Sequence, residues 1–175
     1  AVDSSLYLGT EQGLVVVPVP TQSQTLTPIE RTWTGAGITP DWTNPNNWSG
    51  SMVPLKGDSV VLSPAPPTPH WPLINANIEV EIVSINTAES FGCGDSLLNN
   101  YGKLTVTGGI GEEGKGIQLA NSGTLSVGGM VWSCQMTNNG IIKGGEFKFG
   151  ELQNNSTGRI EGGIFHVTTI NSGSI

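Results

Sequence analysis

From residue 99 onward the chain repeats one short phrase with variations. Asn100-Tyr-Gly-Lys-Leu-Thr-Val-Thr-Gly-Gly is followed by Asn121-Ser-Gly-Thr-Leu-Ser-Val-Gly-Gly. Next come Asn138-Asn-Gly-Ile-Ile-Lys-Gly-Gly and Asn155-Ser-Thr-Gly-Arg-Ile-Glu-Gly-Gly, and a fifth copy starts at Asn171-Ser-Gly-Ser-Ile. The Gly-Gly pairs begin at 108, 128, 144 and 162, giving periods of 20, 16 and 18 residues. Repetition on that scale marks a solenoid, in which each unit buries its apolar face only by stacking on the next.

Each copy joins a turn signal, Asn then Gly, both tolerant of positive φ, to a few residues that alternate apolar and polar. Every rung therefore reads as strand, bend, strand. In Lys103-Leu-Thr-Val106 and Thr124-Leu-Ser-Val127 the aliphatics share one face, as the strand period of two requires. Aligning on Gly-Gly puts Val131, Phe147 and Phe165 in one inward column and Ser133, Phe149 and Val167 in another. The column between them, Trp132, Lys148 and His166, then faces solvent. Ile78-Glu-Val-Glu-Ile82 reads as an earlier rung with its glutamates outward.

Composition supports the same fold class. Gly is 25 and Pro 11 of 175 residues, charged residues are 12%, and the strong helix formers are scarce. The net charge of -7, with seven basic residues scattered singly, offers no footprint for a phosphate backbone, so no nucleic acid partner is expected. No apolar run approaches the roughly 18 residues of a membrane span, and no membrane insertion is expected. The two cysteines, Cys93 and Cys134, fall about two rungs apart. Rungs stack at roughly 4.8 Å, so cysteines in one column would hold their Cα atoms near 10 Å apart, beyond the roughly 7 Å reach of a disulfide. Buried free thiols are the expectation.

Residues 33–72 differ in character: Trp33-Thr-Gly, Trp42-Thr-Asn-Pro-Asn-Asn-Trp48, Val53-Pro54, Gly57-Asp-Ser-Val-Val-Leu62 and Pro72-Leu-Ile74. This order, continued by an alternating strand and Asn-Gly repeats, resembles the N-terminal module of secreted bacterial right-handed parallel β-helix proteins of the adhesin-like and autotransporter-like kind. The likeness covers roughly residues 33–107. It implies a fold and leaves activity open, since such modules are joined to many functions. The open end of a solenoid exposes a bare edge and an apolar cross-section. Trp33, Trp42 and Trp48 are large enough to cover it. The expected architecture is thus all-β: an arm or hairpin over 1–32, a Trp/Pro-rich cap over 33–72, and a right-handed parallel β-helix over 73–175.

In the arm, Leu6, Tyr7 and Leu8 and then Leu14, Val15, Val16 and Val17 form two strand-like runs about a Gly-Thr-Glu-Gln-Gly turn. A lone hairpin is marginal in water, so these residues are expected to lie on the body of the protein or on a partner's sheet edge.

Chemistry finds little to work with. After Asp95 there is no aspartate, and Glu112-Glu113, set among glycines, reads as a solvated turn. Glu79 and Glu81 share a strand face with no base nearby in sequence, whereas glycoside cleavage wants two carboxyls a few ångströms apart. His70 and His166 are single imidazoles without a second ligand at zinc spacing, and the calcium-solenoid signature is missing its Asp, so no metal or cofactor is expected. Trp132, Lys148 and His166 remain as the candidate contact with glycan or protein.

The chain stops one strand into a fresh rung. Together these features lead to the expectation of a non-enzymatic structural display protein on the exterior of a larger assembly, a viral capsid decoration or fibre subunit. Its partners would be that protein assembly and copies of itself. The alternatives are a bacterial cell-surface adhesin-like β-helix module and a polysaccharide-binding or polysaccharide-degrading β-helix. The expected location is the virion surface or the extracellular face of a cell.

Overall fold

In a computed structural model of the chain, the structure describes residues 5–10, 13–18, 28–62, 71–88 and 92–175. Among them the strands are β1 (Ser5–Thr10), β2 (Gly13–Pro18), β3 (Glu30–Trp33), β4 (Ser59–Leu62), β5 (Leu73–Ile74), β6 (Glu79–Ile82), β7 (Ser84–Thr87), β8 (Gly92–Asn100), β9 (Lys103–Val106), β10 (Lys115–Asn121), β11 (Thr124–Asn138), β12 (Ile141–Asn154), β13 (Arg159–Glu161) and β14 (Ile164–Asn171). β1 and β2 pair antiparallel, Leu6 opposite Val17 and Leu8 opposite Val15. Their side chains lie outside the described set. Every other strand pairing is parallel. The protein is the all-β parallel solenoid that the repeat predicts, about four turns long.

Three stacked faces enclose the core, and each is a ladder of one residue per rung. On the first, Val80, Leu104, Leu125, Ile142 and Ile160 stand in register. The second runs Arg31, Val60, Ile85, Ile110, Val131, Phe147 and Phe165. The third carries Leu98, Leu119, Met136, Leu152 and Thr169. Apart from Arg31 and the last-rung Phe165 and Thr169, these are apolar residues with under a tenth of their surface exposed. Alternation alone achieves this, because each inward residue is flanked by outward ones such as Glu79, Glu81, Thr105 and Ser126. The long strands β11 and β12 turn corners by bulging, with register shifts between Val127 and Met130 and between Lys148 and Glu151.

The inward column holds Val131, Phe147 and Phe165 as the alignment predicts, with the two phenyl rings stacked 4.7 Å apart and 8° from parallel. Ser133 is buried and donates to the carbonyls of Ile117 and Gln135, and Val167 packs against the core. The Phe149 side chain lies outside the described set.

The chain bends at the Asn-Gly punctuation as expected, at residues 101–102, 122–123, 139–140, 156–157 and 172–173, but without the positive φ read from the sequence. None of the repeat asparagines has positive φ, and neither do Gly102, Gly123, Gly140, Gly158 or Gly173. The asparagines instead point into the coil and stack: Asn100, Asn121, Asn138, Asn154 and Asn171 occupy one column, the first four 1% exposed or less. Each side-chain amide donates to the next carbonyl, at 2.8 Å from Asn100 to Asn121, 2.7 Å to Asn138, 2.8 Å to Asn154 and 2.7 Å to Asn171. In the fourth copy the stacked residue is Asn154, one position before the Asn155 of the sequence alignment. The glycine is required because a β-carbon at Gly123 or Gly140 would run into the carbonyl of the same glycine one rung earlier.

At the other end of the stack Trp33 sits opposite Leu62 in the first rung of its face. Trp33, Trp42 and Trp48 are at most 2% exposed and pack edge to face, Trp48 lying 4.9 Å from Trp33 and 4.7 Å from Trp42 between ring centres. The Trp48 indole N–H donates to the Trp42 carbonyl at 2.7 Å. Asn47, fully buried, fastens the surrounding loop by donating to the carbonyls of Thr39 and Asp41 and accepting from the Gly37 amide. Asn44 caps the short 3-10 turn Pro45–Asn47, with proline at its first position.

Candidate functional site

The parallel register of β11, β12 and β14 sets Trp132, Lys148 and His166 side by side on the outside of the second face. The neighbouring outward column is Met130, Glu146 and Ile164. Trp132 and Lys148 are half-buried, while His166, Met130 and Ile164 are exposed. One rung earlier the position beside the indole is Gly111, which carries no side chain.

Glu146 ties the strip together. Its Oε1 accepts from Lys148 Nζ at 3.1 Å and lies 3.1 Å from His166 Nε2. The hydrogen bond from Lys148, with the charge of that ammonium and the contact from His166, holds the Glu146 carboxyl below its ordinary value near 4.5. A carboxylate held ionised beside an ammonium suits recognition and surface cohesion; a general acid needs the opposite shift. Other carboxylates on the coils are engaged in the same way, Glu79 with Lys103 at 3.2 Å, Glu81 with Lys56 at 3.0 Å, and Glu161 with Lys143 at 3.3 Å and Arg159 at 2.9 Å. Glu112 closes a tight turn onto Lys115 at 3.6 Å, and Glu113 is exposed.

Two arrangements escaped the sequence reading. Arg31, in the inward column at the first rung, donates Nε–H to Asp58 Oδ2 at 3.2 Å, and both side chains are 10% exposed. Asp58 also accepts from the Leu55 and Ile29 amides. The aspartate of the Gly57-Asp58 motif is therefore a clamp at the start of the stack. Its only sequence signal was that motif.

The second is a correction. Cys134 is disulfide-bonded, and Cys93 is the chain's only other cysteine, so the expectation of free thiols fails. The rung between them presents Gly116, which pairs with Cys93, and a β-carbon there would meet Cys134 Sγ at 2.6 Å. Cys134 itself sits in a bulge, unpaired between Ser133, opposite Ile117, and Gln135, opposite Gln118. On the Cys93 side, Gly94, Asp95 and Ser96 are passed over between the pairs at Gly116 and Gln118. The spacing estimate assumed evenly stacked rungs with a side chain in each, and neither condition holds here.

A cleft of about 350 Å³ lies between the 53–56 loop and the outer side of β6 and β9, with Lys56, Glu81, Lys103 and Glu79 on its rim. Among the described residues no three His, Cys, Asp or Glu side chains gather as metal ligands, and no helix is long and apolar enough to cross a membrane. The arm residues Leu6, Tyr7, Leu8, Leu14, Val15, Val16 and Val17 belong to β1 and β2, and their side chains are outside the described set; so is His70.

These features define a parallel β-solenoid with a tryptophan-packed N-terminal end, an internal asparagine ladder and ion-paired outer faces. No protein-family model, curated protein or solved structure matches the chain.

Proposed function

We propose that the protein is an exported structural display module, a stiff β-solenoid that holds surfaces away from the cell or particle that carries it. The observation that carries this reading is the disulfide at Cys134. Such bonds persist in oxidising surroundings, outside the cytoplasm. The same observation ranks the two carriers: an exported cell-surface protein of the adhesin-like kind meets an oxidant on its route, whereas a capsid decoration assembled in a reducing cytoplasm does not. The surface carboxylates support the non-enzymatic reading, since Glu79, Glu81, Glu146 and Glu161 are spent on ion pairs along the coil. Within this role the strip of Trp132, Lys148 and His166 is the contact for a protein or glycan partner, an indole face beside fixed charges.

An antibody raised against the chain tests the reading on the source material. It should bind intact, unpermeabilised cells, and protein recovered from that fraction should show no free thiol. Recovery from the cytoplasm with two titratable thiols would overturn export. Recovery only with sedimenting particles would restore the virion alternative.

A further inference from the structure

The N-terminal end of the stack is closed on two of its three faces. On the third face the first strand, β5, is covered by the loop before it: the Leu73 amide donates to the Pro40 carbonyl at 2.9 Å, and the Trp42 amide to the Leu73 carbonyl at 3.0 Å. On the second face β3 is covered by the tryptophan loop, through the Trp33–Trp48 bridge and the Thr34 amide, which donates to the Asn47 carbonyl at 2.7 Å. On the first face the leading strand is β6, and it pairs only with β9. Val80 and Ile82 turn their backbone groups toward β9, since the Lys103 and Thr107 amides donate to the Ile78 and Ile82 carbonyls. The odd positions therefore face the other way. Val83 is closed there, donating to the Asp58 carbonyl at 2.8 Å. The backbone N–H and C=O groups of Glu79 and Glu81 meet no partner among the described residues.

The 53–57 segment precedes β4 as β6 precedes β7, and so belongs along that edge, but it folds outward instead. The Asp58 amide closes a turn onto the Leu55 carbonyl at 3.0 Å, Gly57 takes a φ of 91°, and Leu55 is exposed. Between this segment and β6 lies the cleft of about 350 Å³, a size typical of ligand sites. Trp42, Val53, Ile78 and Val80 give it an apolar lining. Its mouth carries Lys56 with Glu81 and Lys103 with Glu79, two cations and two carboxylates that cancel. We infer that this slot takes one extended peptide segment of a partner protein, laid along β6 as an added strand. The peptide backbone bonds to Glu79 and Glu81, and an uncharged aliphatic side chain between those two positions enters beside Val80, Val53 and Trp42.

The chemistry of the slot selects that occupant. Open N–H and C=O groups recurring every second residue, about 6.8 Å apart along a strand, are matched by another main chain and by no other common ligand. The balanced charges at the mouth favour a segment without net charge, and charged side chains on the edge discourage unselective strand pairing. A single strand fits where a hairpin does not, because the 53–56 loop walls the far side. The described strands of this chain, or of a second copy, are excluded on that ground. β1 and β2 are bound to each other as a hairpin, and every other strand is already laddered into the coil. The slot shares no residue with the strip of Trp132, Lys148 and His166, so the two readings can fail separately.

The test follows backbone amide exchange in the full chain, alone and with the capped peptide Lys-Leu-Thr-Val-Thr, a copy of residues 103–107, which already pair with the other edge of β6. In the free chain the Glu79 and Glu81 amides should exchange about tenfold or more faster than those of Val80 and Ile82. Millimolar peptide should slow Glu79 and Glu81 by about tenfold or more and leave Val80 and Ile82 unchanged. Glu81→Pro removes the one amide that faces the slot, where an edge strand tolerates proline, and should abolish the slowing at Glu79 while the chain stays folded by circular dichroism. Glu81→Gln keeps that amide and should keep the slowing. Protection of Glu79 and Glu81 in the free chain at every concentration would assign the slot to the chain's own residues 19–27, and protection that grows with concentration would assign it to a second copy; either result overturns the inference. So would rates unmoved by peptide, slowing spread equally over all four residues, or slowing that survives Glu81→Pro.

Discussion

The sulfur of Cys134 lies 2.6 Å from where a β-carbon of Gly116 would stand, so the disulfide depends on a rung that offers no side chain. Gly116→Ala forces either the sulfur or the Cys134 backbone nitrogen, 3.0 Å from the same point, to give way. The expected cost is about 1–3 kcal/mol, the range for forcing extra volume into a packed site. Urea unfolding with and without reductant checks it: the reduced proteins should differ by less than the oxidised ones, and dithiothreitol should open the bond faster in the variant.

Loss of the disulfide alone, by Cys134→Ser, should cost about 2–5 kcal/mol and leave the parallel-strand spectrum intact. The coils on either side of β10 are held by their own ladders, and circular dichroism together with chemical denaturation separates the two effects.

Within the asparagine ladder the middle is more sensitive than the ends. Asn138→Leu takes the side-chain acceptor from Asn121 Nδ2, which keeps the Gly123 and Ile141 carbonyls, the same oxygen from the Gly140 amide, and the donor from Asn154 Oδ1, all in a buried column. Each stranded group costs about 1–3 kcal/mol. Asn100→Leu takes a donor from the Asn121 side-chain carbonyl and from the Thr124 backbone carbonyl but removes an oxygen that is already unpartnered, so it should cost less. Denaturant midpoints that rank the two variants the other way would contradict the hydrogen-bond direction described above.

Asp58→Ala removes the partner of Arg31 and the acceptor for the Leu55 and Ile29 amides. Breaking one side of a buried pair costs about 3–5 kcal/mol. Asp58→Asn keeps the shape and one acceptor and should recover part of the loss. Arg31→Met, which takes away the charge and retains the stem, should be milder than Asp58→Ala when compared by thermal unfolding.

Glu146 links stability to pH. Its folded pKa is lowered from the ordinary value near 4.5, so it favours the folded state above the unfolded value and loses that contribution as pH falls through the folded one. Glu146→Gln should therefore lower the melting midpoint slightly at pH 6, and the gap to the parent should close on acidification below about pH 4. Added salt should shrink the gap at pH 6, since the group is on the surface.

The coil was legible in the sequence because period two and the recurrence of Asn, Gly and Gly-Gly are local signals that point the same way. Leu104, Leu125 and Ile142 fall inside for that reason. The asparagines were legible as markers of the bends that follow them and not as a ladder, because an amide that pairs with its own kind one rung away leaves no trace in any single copy. The disulfide was hidden by bulges at Cys134 and across Gly94–Ser96, which shift register without altering composition. Arg31 and Asp58 lie 27 residues apart on either side of the tryptophan loop, and no spacing rule joins them. As for the outer strip, the column of Trp132, Lys148 and His166 followed from alignment, while the role of Glu146 required knowing that its neighbours converge on one oxygen.

The column of asparagines also shows how such a molecule can change length. Because every ladder amide reaches only its own rung and the rungs on either side, excising the span from one ladder residue to the next, for instance 139–154, would leave Asn138 facing Asn171 with the same side-chain pairing as before. Evolution can thus lengthen or shorten the rod in whole increments of one rung, adjusting reach without redesigning either end.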